Sequence, residues 1–399
     1  MSFLSFFVDH KWVLLFYGAI LLLLFIFRKK FVMQSKIVAM YKTRIGLSLM
    51  DRIAAKHGPL VRLVAYIGIG VGFVGMIVIF YTLVNNLFTL LTVPKAQSAV
   101  SVIIPGVSLP GSPIVIPLIA GWIALFFVIV VHEFSHGVVA RAHKIPIKSS
   151  GIFFLGPLMG AFVEPEEKKL QGAQDTTQYA VYAAGPFSNI LLALIALGLI
   201  FFIVTPLISA ITTSSGVTVV GLSEGFPAQK AGLVNGMEIS AINEKNITTY
   251  EQFQEALSCV KPNQTISLIA NHSVFTLRTA MNPENSEKGY LGILTSSVSA
   301  KKITHETPFI KAVYNLLMGV YDFLFILFIL SFGIGLANLL PLGPVDGGRM
   351  CLEALTQLKG KEKGMLRWKQ ITIITFFILL INIFWPLIAW FGNLIGLMV

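Results

Sequence analysis

The stretch VVHEFSHGVVARAH, residues 130–143, sets two histidines four positions apart with a glutamate directly after the first. On a helix, positions i and i+4 share one face, so His132 and His136 offer two ring nitrogens to one point in space. Zinc takes nitrogen and oxygen ligands in a tetrahedron and keeps one position open where it serves catalysis. Glu133, beside the pair, stands where a general base can take a proton from water. The chemistry indicated is zinc-dependent hydrolysis. The setting strengthens that reading, because the triplet ends a long apolar run and ionisable groups at bilayer depth are costly enough to mark function.

Two histidines need a third ligand. His143 follows among Arg141 and Lys144, where it faces solvent or lipid headgroups, and the spacing of the longer three-histidine zinc motif is not met at Val139 and Ala142. Glu164, Glu166 and Glu167 belong to EPEEKK, a solvated charge run. Asp322 is a rival, since it lies inside an apolar run, but near the end remote from the histidines. Asp346, in NLLPLGPVDGGRM, is the best choice. Proline and glycine interrupt a helix there, and irregular backbone at membrane depth is tolerated where it packs on protein or lines a cavity.

The elements that must bring these groups together are membrane spans. Of the 399 residues, 55% are hydrophobic and 12% charged, the balance of an integral membrane protein and not of a large soluble core. Six apolar runs lie near 12–28, 63–92, 113–140, 180–210, 309–342 and 371–397. The +11 net charge invites nucleic acid as a partner, but its distribution argues against it. Nine Lys and Arg fall in 28–62, five in 141–178 and six in 343–370, against one each in 1–11 and 93–112 and none in 391–399. Basic residues collect in short cytoplasmic loops, so both termini are expected outside the cell membrane and the three basic loops inside. His132 then lies about 13 Å above the inner boundary at Arg141, and Asp346 arrives near the inner end of the fifth run. Both halves of the site meet in the cytoplasmic half of the bilayer. The basic loop 28–62 reads as an interfacial amphipathic segment held by anionic headgroups. Cys259 and Cys351 fall on opposite sides and do not pair.

HEFSH on one span and NLLPLGPVDGG on a later one resemble the site-2 protease family of intramembrane zinc metalloproteases, whose pattern is His-Glu-x-x-His followed by Asn-x-x-Pro and a Leu-Asp-Gly element. Asn338, Pro341, Asp346 and Gly347 match it, with Val345 in place of the leucine. GPFSN at 185–189 resembles a further family element. The resemblance covers roughly 110–350 and implies a single Zn2+ held by His132, His136 and Asp346, with Glu133 catalytic, Asn189 stabilising the transition state or positioning substrate, and Asn338 on the substrate side. GIFFLGPLMGAFV, 151–163, is too short to span as a helix and is rich in glycine, so a re-entrant β-hairpin is expected. In the family such a segment flanks the active site, and an exposed strand edge with Gly160 and Phe162 would capture unwound substrate by backbone pairing.

Between 212 and 306 the apolar runs shorten and turn residues return. GFPAQKAGLVNGMEISAINEKNI resembles a PDZ domain of the protease type, with Met237 where that family usually has aspartate and GYLGI at 289–293 as its carboxylate-binding loop. Such a module binds a peptide terminus by strand addition, or serves only as a steric screen. All three Asn-x-Ser/Thr sequons, at Asn246, Asn263 and Asn271, lie in it, in keeping with an external face.

The expected fold class is therefore a polytopic α-helical membrane protein with about six spans and a small α/β PDZ-like domain inserted between the fourth and fifth. Its divisions are 1–110, 111–211, 212–306, 307–350 and 351–399. Its partners are transmembrane protein substrates and the lipid bilayer. A metal transporter and an inactive zinc-binding adaptor are the rival classes, and the presence of Glu133 with a full ligand set speaks against both.

Overall fold

The computed structural model describes residues 11–34, 38–93, 96, 98, 100, 102–107, 115–271, 273–282, 285–304 and 307–394. The expected outward placement of both chain termini, and the expected span ends at 113–114 and 395–397, fall outside them. Two compact units emerge, one made of 1–200 and 322–399, the other of 201–321.

Among the described residues five helices are long and apolar enough to cross a membrane, namely Leu47–Thr92, Leu118–Ala142, Asp175–Ile211, Pro308–Asn338 and Lys361–Ala389. The first expected span corresponds to helix α1, Lys11–Ile26, whose 16 residues fall short of the roughly 20 that cross a bilayer. Large apolar side chains such as Ile77, Phe88, Ile119 and Leu194 stand exposed on the long helices. In water that exterior would aggregate, whereas in lipid it is the required surface.

In the first unit, α2 (Leu47–Thr92) bends at His57, whose φ of −121° leaves the helical region just before Gly58 and Pro59. Beyond the bend, Gly68, Gly72 and Gly75 share one face. A Cβ on them would run into Phe187, Met350 and Leu339 respectively. Small residues let backbones approach closely where no hydrophobic effect drives helices together in lipid. Around this contact α3 (Leu118–Ala142) and α4 (Asp175–Leu199) close a buried cluster that includes Ala140, Ala180, Val181, Ala183, Leu339 and Met350.

The same unit holds a four-stranded antiparallel sheet, in order β1 (Val32–Gln34), β2 (Val38–Thr43), β3 (Ile147–Leu155) and β4 (Leu158–Pro165). The β3–β4 hairpin is where a hairpin is expected, paired in unbroken register from Ser150↔Val163 to Leu155↔Leu158. The first two strands lie in the basic loop 28–62, within the segment expected at the membrane interface. β2 pairs along β3 from Val38↔Leu155 to Thr43↔Ser150. That edge of β3 is thus closed, and β4 has no strand beyond it among the described residues.

The second unit is a small α/β fold. Its sheet runs β12 (Ile293–Ile303), β5 (Thr212–Leu222), β6 (Glu238–Ile242), β8 (Thr265–Ala270), β9 (Ser273–Arg278), with β7 (Lys245–Asn246) on β6 and a separate pair of β10 (Ala280–Met281) and β11 (Gly289–Tyr290). Helix α5 (Tyr250–Ser258) covers a core of Val217, Val219, Ile239, Ile266, Leu268 and Phe253. After this sheet come helices α6 (Pro308–Asn338), α7 (Asp346–Lys359) and α8 (Lys361–Leu394).

Candidate active site

Helical spacing on α3 does what the sequence requires of it. His132 and His136 are both buried, their rings 4.8 Å apart between centroids and their Nε2 atoms 3.2 Å apart. Asp346, at the start of α7, places Oδ2 3.1 Å from Nε2 of His132 and 3.3 Å from Nε2 of His136. These three are the one group of potential metal ligands found among the described residues.

The donor set fits zinc on two grounds. Ligand atoms about 2.0–2.1 Å from a tetrahedral ion lie about 3.3–3.4 Å from each other, and the three edges here are 3.1, 3.2 and 3.3 Å. The polarity agrees. Nδ1 of His136 lies 2.7 Å from the carbonyl oxygen of Val181, which can only accept, so this nitrogen carries a proton and in the neutral ring Nε2 keeps its lone pair. That lone pair converges with a carboxylate oxygen, an arrangement a cation resolves.

Asp346 reaches this point because the chain breaks. Helix α6 ends at Asn338 and α7 begins at Asp346, with Pro341 and Pro344 between. A Cβ on Gly347 would overlap the backbone of Leu339, and one on Gly348 the carbonyl of Leu342, so the first turn of α7 lies against the preceding loop only with hydrogen at both positions. Nε1 of Trp368 on α8 donates to the carbonyl of Gly348 over 2.8 Å and anchors that turn. Gly185, in GPFSN, plays the same part on α4. Any Cβ there would collide with Nε2 of both histidines.

Glu133 is tied to the sheet. Its Oε2 accepts from the backbone N–H of Val163 on β4 over 3.0 Å. The N–H of Val163 therefore points away from β3. Main-chain groups alternate along a strand, so Ala161 and Met159 also face the unpaired edge, while Gly160 and Phe162 turn theirs toward β3. Gly160 is small because the ring of Phe153 lies over it. A cavity of about 260 Å3 opens beside these groups, lined by His132, Glu133, His136, Val163, Asn338 and Asp346, with Tyr182 and Arg349 also on its wall.

Asn189 is fully buried on α4, with Nδ2 3.1 Å from Nδ1 of His132. Asn338 lines the cavity and donates from Nδ2 to the carbonyl of Ile334 over 3.0 Å. The excluded residues lie elsewhere. His143 directs Nδ1 to the carbonyl of Val139 and Nε2 to the hydroxyl of Tyr66. Asp322 is exposed, sixteen positions and so about 24 Å up α6 from Asn338. Glu164 is not merely solvated. It accepts from Nζ of Lys42 at 2.8 Å and Oγ of Ser149 at 2.7 Å, and these hold its carboxyl below the ordinary glutamate value. Sequence reasoning missed the main-chain N–H of Val163, the space at Gly185, and Tyr182 and Arg349. Only Gly185 left a trace, as the first residue of GPFSN.

The chain is similar to known proteins over most of the residues that build this site. The sequence model of Peptidase family M50 matches residues 120–382. An uncharacterized protein of Methanocaldococcus jannaschii, MJ0971, is 32% identical over 242 residues, which are 58% of this chain and 56% of the relative. Atu1380 of Agrobacterium fabrum, whose name carries the words zinc metalloprotease, is 21% identical over 51% of this chain and 66% of its own. The protein eep of Enterococcus faecalis, named as a protease, is 22% identical over 54% and 58%. The chain thus spans between about half and two thirds of the length of these relatives.

Proposed function

From a chain that belongs to peptidase family M50, the site-2 protease family, we propose an intramembrane zinc metalloprotease that hydrolyses peptide bonds within or near transmembrane segments of other membrane proteins. The observation that carries the reading is the closed triangle of His132, His136 and Asp346 ligand atoms with Glu133 beside it, on a helix apolar enough to span a bilayer. A single Zn2+ held there supplies a Lewis acid that polarises a carbonyl and acidifies water.

The residues of the chain account for the rest. A substrate helix hides its peptide bonds in its own hydrogen bonds and must be drawn out before attack. The unpaired edge of β4 offers Met159 and Ala161 as backbone partners for such a strand, ending at Val163, whose N–H is held by Glu133. Glu133 takes a proton from water as oxygen adds to the carbonyl carbon, then returns it to the departing nitrogen as the C–N bond breaks. Gly160 and Phe162 serve this edge by building the strand, and Asn338 faces substrate from the cavity wall.

The inserted unit we read as PDZ-like. In its support, α5 and the segment from Gly289 to Thr295 line a cavity of about 460 Å3 with Phe253, Leu257, Leu291 and Ile293. A peptide terminus would lie there, or the module would exclude substrates with bulky outer domains. The distribution of basic residues supports a multi-pass protein with this module and both termini outside and the active site in the cytoplasmic half of the bilayer.

The test is cleavage of a transmembrane test peptide by purified protein in detergent, with bound zinc measured in parallel. Glu133→Gln is expected to lose about 10²–10⁴ in turnover while retaining zinc. Asp346→Ala is expected to lose zinc. Cleavage retained in Glu133→Gln would sink the mechanism, and full zinc in Asp346→Ala would move the third ligand elsewhere.

A further inference from the structure

The two histidines of the site are supported in different ways. His136 donates from Nδ1 to a main-chain carbonyl, which permits a single proton arrangement. Nδ1 of His132 instead meets the side-chain amide of Asn189, carried by another helix 57 positions along the chain. An amide can offer either its NH2 or its oxygen with no change of shape, and the surrounding hydrogen bonds decide which.

With Nδ2 toward the ring, Nδ1 of His132 must accept, so the ring proton sits on Nε2 and points at Oδ2 of Asp346, 3.1 Å away. That is a consistent arrangement without a metal. It leaves Oδ1 of Asn189, in a fully buried residue, with no hydrogen-bond partner. An unsatisfied buried acceptor is destabilising, because it has given up its water without a replacement. Turning the amide by half a revolution places Oδ1 against Nδ1, which then carries the proton. Oδ1 is then satisfied, the NH2 takes the position that Oδ1 leaves, and Nε2 keeps a bare lone pair aimed at the metal position, so it is the metal that favours the turned amide.

We propose that Asn189 is a positioning residue for His132, its amide turning so that Oδ1 holds the Nδ1 proton when a metal occupies Nε2. The inference rests on the zinc-protease reading above and gives Asn189 a role other than contact with substrate or transition state. Its backbone is fixed for the task. The main-chain oxygen of Asn189 accepts from Oγ of the buried Ser331 over 2.8 Å, and a Cβ at Gly335 would press on the Asn189 side chain. Only the amide is left to turn.

Zinc affinity measured by competition with a chromogenic chelator, on full-length protein, tests this. Asn189→Leu, which keeps the bulk and loses the acceptor, is expected to weaken zinc about 10–100-fold, as loss of an outer partner of a metal-bound histidine does. Asn189→Asp, which keeps an acceptor, is expected to stay within about threefold of wild type. The melting temperature without zinc is expected to fall no further in Asn189→Leu than in Asn189→Ala, since the leucine keeps the bulk. Should that variant not fold, Asn189→Ala carries the same expectation for zinc. Unaltered zinc affinity with reduced turnover would overturn the inference and place Asn189 on the substrate. Equal loss of zinc in the leucine and aspartate variants, with a lower zinc-free melting temperature, would overturn it in favour of a packing role. A wild type that binds no zinc would remove the protease reading itself, a different result from zinc binding indifferent to position 189.

Discussion

On α3, helical period alone sets His132, Glu133 and His136, and nothing about the helix is irregular there. Asp346 reaches the same point through a broken chain, two prolines and two glycines whose missing side chains let α7 lie on the loop before it. The two regions differ in what can go wrong. A helix positions its side chains through bonds between neighbours, so the spacing of the histidine pair does not depend on distant residues, although a methyl at Gly137 or Gly185 would still press on Met50 or on the two rings. The aspartate half is set by contacts closer than any Cβ allows, so it fails when a single methyl group is added. A metal site built from both gains a rigid pair and a third ligand whose place depends on the packing of α7 and α8.

Substitutions can press on that contrast. Gly348→Ala puts a methyl on the carbonyl of Leu342, and Gly185→Ala puts one on the two histidine nitrogens. Both are expected to weaken zinc by at least about tenfold, and Gly348→Ala to cost about 1–3 kcal/mol of stability as well. Chelator competition and thermal unfolding would show it, and an unchanged zinc affinity in Gly348→Ala would mean that the aspartate half is as tolerant as the helix.

The sheet allows the same kind of comparison between neighbours. Ala161→Pro removes an N–H from the unpaired edge of β4 and leaves the ladder with β3 intact. A loss of about tenfold in kcat/KM, with stability kept within about 1 kcal/mol, is expected. Gly160→Pro takes its N–H from the ladder itself, at about 3 kcal/mol. Equal stability of the two would contradict the assignment of which residues face the edge.

The smallest effect is expected at Lys42→Met, which removes the partner of Glu164. The folded-state value of Glu164 lies below its ordinary 4.5, so the pair contributes fully above that pH and loses its contribution as pH falls through the depressed value. Both side chains are more than one third exposed, and such pairs contribute at most about 1 kcal/mol. Unfolding at pH 7 and near pH 3 should show the difference between Lys42→Met and wild type shrinking in acid.

Much of the site could be read from the sequence because its signals are local. The i, i+4 histidines declare one face of one helix, and NLLPLGPVDGG declares a break in an apolar run, which at membrane depth needs a reason. The short glycine-rich stretch 151–163 declared a hairpin by being too short to span. The strands at 32–43 gave no comparable signal. They lie in a basic loop whose composition suggested a membrane surface, and β2 pairs with β3, more than a hundred residues away.

The amino-acid sequence by itself thus singled out His132, His136 and Asp346 as the candidate metal ligands and Glu133 as the candidate base, since helical period and residue types that lipid does not tolerate without a purpose point to them. Tertiary structure alone decided that Val163 meets Glu133, that Gly185 leaves room for two rings, and that Asn189 faces His132. Those contacts join distant segments at distances where a single methyl group matters, and no pattern of neighbouring residues encodes a gap that small.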